Sequence, residues 1–213
     1  MSQANDTQTP STPPTTPPAD PAAPQAAALP TDCGTALENC PKLKKLLTYL
    51  DGLTGRAPLD ELEILLNELD LTGEDLCAWK RFGVNAYKRN TIAKTEHFEL
   101  LALCWRSGHA TPIHDHRGSS CAFKVIEGVG CEIRFEQTEC GCVAPTGNIK
   151  MQPGYVCAAE DDDIHQIVNT QGEGDELITL HLYTPALKKI GTYDAPYSAK
   201  KHAVEGSPDL YDL

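Results

Sequence analysis

Apolar residues recur at helical spacing early in the chain. Leu43, Leu46, Leu47 and Leu50 fall at i, i+3, i+4 and i+7 and predict a helix over residues 36–50. Leu59, Leu62, Leu65, Leu66 and Leu69 repeat the pattern over 59–71, with acids on the opposite face and Pro58 where a first turn tolerates it. Thr72-Gly73-Glu74-Asp75 reads as an N-cap opening a short third helix through Trp79. After Gly83 short apolar runs replace this pattern. Strands are predicted at 97–105, 121–126, 131–135, 155–158, 164–168 and 177–183. Turn signals separate them at Glu127-Gly128, Gly141, Thr146-Gly147 and Gly172-Glu173-Gly174. Many short strands joined by glycine turns predict a mainly β fold, an antiparallel sandwich or barrel. No internal repeat interrupts that reading.

Composition adds boundaries. Residues 1–30 hold 8 of the 16 prolines, two acids, no base and no aromatic. Such a segment buries too little apolar surface to offset its ordering entropy, so residues 1–32 are expected to form a disordered Pro/Ala/Thr-rich tail. It has no basic n-region or apolar h-region and does not read as a secretory signal. The rest, 33–213, is expected to be one domain: helical lead-in 36–82, β-barrel 85–190 and C-terminal segment 191–213. The net charge of −12 and the lack of any Lys/Arg run argue against nucleic acid as a partner. No apolar stretch approaches the roughly 20 residues of a membrane span. Nine cysteines, an odd number without CxxC spacing, argue against both a disulfide framework and a structural zinc site. The expectation is a cytoplasmic protein, monomeric, with reduced thiols. Cys140-Gly141-Cys142 reads as a strand-end turn.

His114-Asp115-His116 is the first chemical signal. In an extended segment, residues i and i+2 share a face, so both imidazoles can reach one point and make half a metal site. Alone, the pair reads as two surface histidines in a polar loop. Its surroundings narrow the choice. Gly108-x5-His114-x-His116-x4-Cys121-x6-Gly128 is similar to the first cupin motif, with Cys121 where glutamate is usual. Gly154-x5-Glu160-x-Asp162-x2-His165-x3-Asn169 is similar to the second, with Glu160 and Asp162 in place of its proline and glycine. The resemblance implies a cupin (jelly-roll) β-barrel in which His165 is the third metal ligand. Three neutral imidazoles leave the full charge of a divalent ion available to an anionic substrate, but imidazole suits Zn, Cu, Fe and Ni alike.

From Tyr87 to Pro185 the chain resembles the cysteine dioxygenases, the thiol dioxygenase branch of the cupins. The matching stretches are Tyr87-Lys88-Arg89-Asn90, Leu103-Cys104-Trp105, Gly108-His109, Ile113-His114-Asp115-His116, Cys121, His165 and Leu180-His181-Leu182-Tyr183-Thr184-Pro185. The helical lead-in also resembles that family; the Pro-rich tail does not. The resemblance implies Fe(II) on His114, His116 and His165, and oxidation of L-cysteine by O2 to cysteine sulfinic acid, with the substrate bound through thiolate and amine. It puts Arg89 on the substrate carboxylate, a pairing that suits a guanidinium fork. Tyr87 would pack beside Arg89 and donate a hydrogen bond. The related mercaptopropionate dioxygenases carry Gln at the Arg89 position, which favours an α-amino acid thiol here. Cys121 and Tyr183 match the pair that forms a thioether cross-link in animal-type members; the alternative is a buried structural thiol. His181, two residues from Tyr183 on one strand face, would hold the phenol, with Thr179 polarising His181. The alternatives are a dioxygenase of another small thiol such as 3-mercaptopropionate, a cupin isomerase or epimerase, and a non-catalytic metal-binding cupin. His97 and His202 read as surface residues, His109 as structural, and Trp79 and Trp105 as core.

Overall fold

A computed structural model describes residues 31–139 and 141–194. The expectations for the tail before Thr31, for Cys140, for His202 and for the chain after Asp194 lie outside the described residues.

The predicted first helix is two. Asp32 caps α1 (Cys33–Asn39), its carboxylate accepting from the Thr35 backbone N–H at 2.8 Å. Pro41 has no N–H to continue the ladder, so the chain breaks at Cys40, makes a 3₁₀ turn over Pro41–Leu43 and restarts as α2 (Lys44–Asp51). α3 (Leu59–Glu68) stops short of Leu71, and Pro58 is its extended N-cap rather than its first helical residue. The third predicted helix is only a turn and a 3₁₀ segment, Cys77–Trp79; Thr72 and Asp75 exchange hydrogen bonds before it. Lys124 ties α3 to the β-structure. Its buried ammonium donates to the Leu66 and Leu69 carbonyls at the helix end, at 2.9 and 2.6 Å.

Among the described residues ten strands follow: β1 Lys88–Lys94, β2 Glu99–Trp105, β3 Ile113–His114, β4 Ser120–Glu127, β5 Gly130–Gln137, β6 Val143–Met151, β7 Val156–Ala159, β8 Ile164–Val168, β9 Leu177–Thr184 and β10 Thr192–Tyr193. They form two antiparallel five-stranded sheets, ordered β1-β2-β9-β4-β7 and β10-β3-β8-β5-β6. This is the expected jelly-roll, a cupin fold. Among the described residues no ladder joins the two sheets into a closed barrel. Thr146-Gly147, expected as a turn, lies inside β6. Gly147 pairs with Arg134 and Pro145 with Phe135, leaving Thr146 as the extra residue of a bulge. β6 ends its sheet, where Pro145 is tolerated.

Every residue of β2 and β9 is buried, which requires cover on both faces. Leu100, Ala102, Cys104, Leu180 and Leu182 pack with Leu46, Leu62 and Leu66 of the helices. The alternate residues, Leu101, Leu103, Trp105 and Tyr183, face inward with Cys121, Phe123 and Ile167. The functional residues sit on this inner face. No helix among the described residues is long and apolar enough to cross a membrane.

Candidate metal centre

His114 ends β3 and stands directly opposite His165 on β8. His116 follows beyond the strand. Its backbone N–H donates to the Asp161 carbonyl at 3.1 Å, and its own carbonyl accepts from Ser119 at 2.8 Å. Asp115 is buried with different partners: it accepts from the Gly191 N–H at 2.6 Å and the Tyr193 hydroxyl at 2.5 Å. Thus β10 anchors the middle residue while the two histidines flanking it meet His165. The three ring centroids are 4.8–4.9 Å apart, and their nitrogen donors lie within 4.8 Å of one another.

The hydrogen bonds around the rings fix which nitrogens are available. The Pro112 carbonyl lies 3.0 Å from His114 Nδ1 and can only accept, so Nδ1 carries the proton and Nε2 the lone pair. His165 Nδ1 lies 2.8 Å from Glu132 Oε1. Burial alone would raise the pKa of Glu132, but His165, Arg134 and the Tyr155 hydroxyl hold it below its ordinary value. An ionised Glu132 can only accept, so His165 Nδ1 carries a proton and Nε2 is left to the site. That Nε2, and both ring nitrogens of His116, are buried without a hydrogen-bond partner. Burial, then the neighbouring His165, lowers His114 to about 3 and His116 well below its usual value. His114 and His116 held neutral by burial, with unpartnered nitrogens of His116 and His165 in the same cluster, are what a divalent metal requires.

Two expectations follow. Glu132→Gln should weaken metal binding by roughly 10- to 100-fold, the usual cost of losing a group that orients a ligand histidine; competition with a chelating indicator measures it. Acidification should release the metal and destabilise the metal-free chain. His114 has a lower pKa folded than its ordinary 6.5, so the unfolded chain binds more protons between these values. Its contribution to stability is complete above about pH 6.5 and declines as pH falls toward about 3. Thermal melts from pH 7 to 5 should show Tm falling.

Beside the triad, Tyr183 on β9 stands directly opposite Cys121 on β4. Opposed residues on one face lie within about 5.5 Å at Cβ. The Tyr183 ring is 5.5 Å from that of His116. Burial, then Cys121, raises the Tyr183 phenol; burial, then Cys157, raises the Cys121 thiol. His181 lies with Nδ1 3.5 Å from the Tyr183 hydroxyl and Nε2 3.0 Å from Thr179 Oγ1. Trp105 Nε1–H donates to Thr179 Oγ1 at 2.9 Å. Phe123 stacks on His181 at 5.0 Å. Tyr87, expected beside Arg89, stacks on Trp105 at 4.3 Å and remains within electrostatic reach of the guanidinium. Arg89 Cζ lies 5.6 Å from the Tyr183 ring centre, and a quarter of its side chain is exposed.

Trp79 and Trp105 are core residues. His109 is structural, its Nδ1 accepting the Arg106 N–H at 3.0 Å. His97 sits at the surface beside Glu96. The Gly141 turn is present, at φ 82°. Two carboxylates escape the sequence reading. Glu132 orients His165. Glu99, opposite Tyr183 on β2, lies 3.6 Å from Arg89 Nη2.

The profile of a family described as cysteine dioxygenase type I matches residues 53–196. The cysteine dioxygenase type 1 of Danio rerio is 28% identical over 143 residues, spanning 64% of this chain and 70% of that one. The Homo sapiens protein of the same name is 25% identical over 142 residues, with the same spans of 64% and 70%. Among solved structures, a conserved protein with a double-stranded β-helix domain from Klebsiella pneumoniae superimposes with a TM-score of 0.43 at 17% identity, covering 56% of this chain and 94% of that one.

Proposed function

Because the chain belongs to the cysteine dioxygenase type I family, we propose that it is an Fe(II)-dependent thiol dioxygenase that converts L-cysteine and O2 to cysteine sulfinic acid. The observation that carries this reading is the arrangement around Tyr183: a cluster of three buried histidines, of which His116 has its ring 5.5 Å away, and the Arg89 guanidinium 5.6 Å from the ring centre. An all-imidazole site leaves an ion's charge uncompensated by protein carboxylates, which favours a thiolate. The guanidinium accepts a carboxylate.

His114, His116 and His165 hold the iron, which supplies thiol deprotonation and O2 activation when bound. The chain's own residues do the rest. Arg89 receives the substrate carboxylate and fixes which end of the molecule faces the triad. The neutral Tyr183 phenol offers a hydrogen-bond donor beside His116. His181, held by Thr179 and flattened against Phe123, keeps that phenol in place. Inward residues of both sheets exclude bulk water. Cys121 and Tyr183 face each other in register; a thioether between them would replace the thiol S–H and one ring C–H with a C–S bond, with O2 as the oxidant taking up the two electrons and two protons, and would limit the phenol's motion further.

Reconstitution tests this reading. Metal-free protein loaded separately with Fe(II), Co(II) and Zn(II) is given L-cysteine, and O2 uptake is followed. Uptake with iron alone is expected. Equal uptake with all three ions, or with none, rejects an iron-dependent oxygenase.

A further inference from the structure

Glu99 is buried to 1% exposure on the inner sheet face, outside the histidine triad and the Cys121–Tyr183 pair. It begins β2, in register with Tyr183, which is itself opposite Cys121. One carboxylate oxygen lies 3.3 Å from the Lys94 ammonium. The other, Oε2, is fully buried and has no hydrogen-bond partner. Arg89 Nη2 is nearest at 3.6 Å, too far for a hydrogen bond. A buried acceptor without a donor costs free energy, and an ionised one costs more. The donor missing from the folded chain can arrive with a ligand.

Resting on the proposed function, we infer that Glu99 is a specificity-determining residue that accepts from the substrate's α-amino group. Arg89 and Glu99 stand side by side with opposite charges, which is the pattern of an α-amino acid zwitterion. In such a molecule the amine nitrogen is two bonds from the carboxylate carbon, so a carboxylate on Arg89 carries the amine into the same neighbourhood. The group remains a donor in either state. A free ammonium has three N–H bonds, and an amine bound to a divalent ion keeps two, polarised by that ion. A mercaptocarboxylate without an amine leaves Oε2 orphaned and adds a second negative charge beside it.

The test is Glu99→Gln, read as a ratio. L-cysteine and 3-mercaptopropionate share the carboxylate and the thiol and differ in the amine. Any change in Arg89 or in general packing therefore acts on both, while loss of the amine contact acts on one. Anaerobic titrations of the Fe(II)-loaded protein give Kd for each thiol without turnover. In the parent, L-cysteine should bind more tightly. In Glu99→Gln the preference should shrink about tenfold, with L-cysteine weakened and 3-mercaptopropionate unchanged or tightened. Glu99→Asp, which keeps the charge but shortens the reach, should recover part of the preference. Bound iron and Tm serve as controls for folding. Equal weakening of both thiols, or an unchanged ratio, overturns the role of Glu99 and leaves the thiol dioxygenase reading standing. If the parent binds neither thiol, that reading fails, and the role of Glu99 with it.

Discussion

His165→Ala should strip the bound metal and abolish thiol oxidation, the largest effect expected of any single substitution here. His165 supplies one of three buried donors, and the other two cannot hold a labile divalent ion. The loss exceeds that from removing an orienting carboxylate, so activity should fall by more than about 100-fold. The variant also leaves Glu132 buried without its closest partner, at 2.8 Å in the parent. Some loss of stability is therefore built into it, and the thermal melt must be read alongside the metal content. His114→Ala provides the control, because its Nδ1 contacts only a carbonyl and no buried charge is orphaned. It should fold more nearly as the parent does and still lose the metal. Metal content near that of the parent in both variants would remove the triad from the account.

Arg89→Gln should reduce kcat/KM for L-cysteine by about 10- to 150-fold, corresponding to roughly 1.5–3 kcal/mol for a charge-assisted hydrogen bond. The loss should be selective. Cysteamine has no carboxylate, gains nothing from the guanidinium, and should be oxidised equally by parent and variant. Arg89→Lys should restore the charge but not the two-pronged geometry, and so only part of the activity. One structural effect accompanies the change: Glu99 loses its nearest cation on the Oε2 side and keeps only Lys94. Samples matched for iron content isolate the substrate effect. Equal proportional losses on both thiols would show that Arg89 supports the fold and does not hold a carboxylate.

What could be read from the sequence follows the physics of each element. The cores of six strands were legible because they are apolar runs bounded by glycine turns. β1 was not, since Lys88–Lys94 is mostly polar and is ordered by pairing with β2. β3 has two residues, too few for any period to show. The helix over 36–50 was read through Pro41 because its leucines keep their spacing across a break that the backbone cannot cross. The histidines were legible by spacing, but only the fold sets His114 across from His165. Glu132 was hidden by strand alternation. Cys131, Ile133 and Phe135 mark the apparent inner face of β5, which assigns Glu132 to solvent, yet it is fully buried. Glu99 was hidden at the start of an apolar run, where a charged residue reads as the strand's exposed end.

The most direct test of the central claim is the fate of the oxygen atoms. Fe(II)-loaded protein is supplied with L-cysteine under isotopically labelled O2, and the product is analysed by mass spectrometry. Cysteine sulfinic acid carrying two labelled oxygens on sulfur is the expected result. A sulfinate with one or no labelled oxygen, or cystine as the only product, would contradict a dioxygenase.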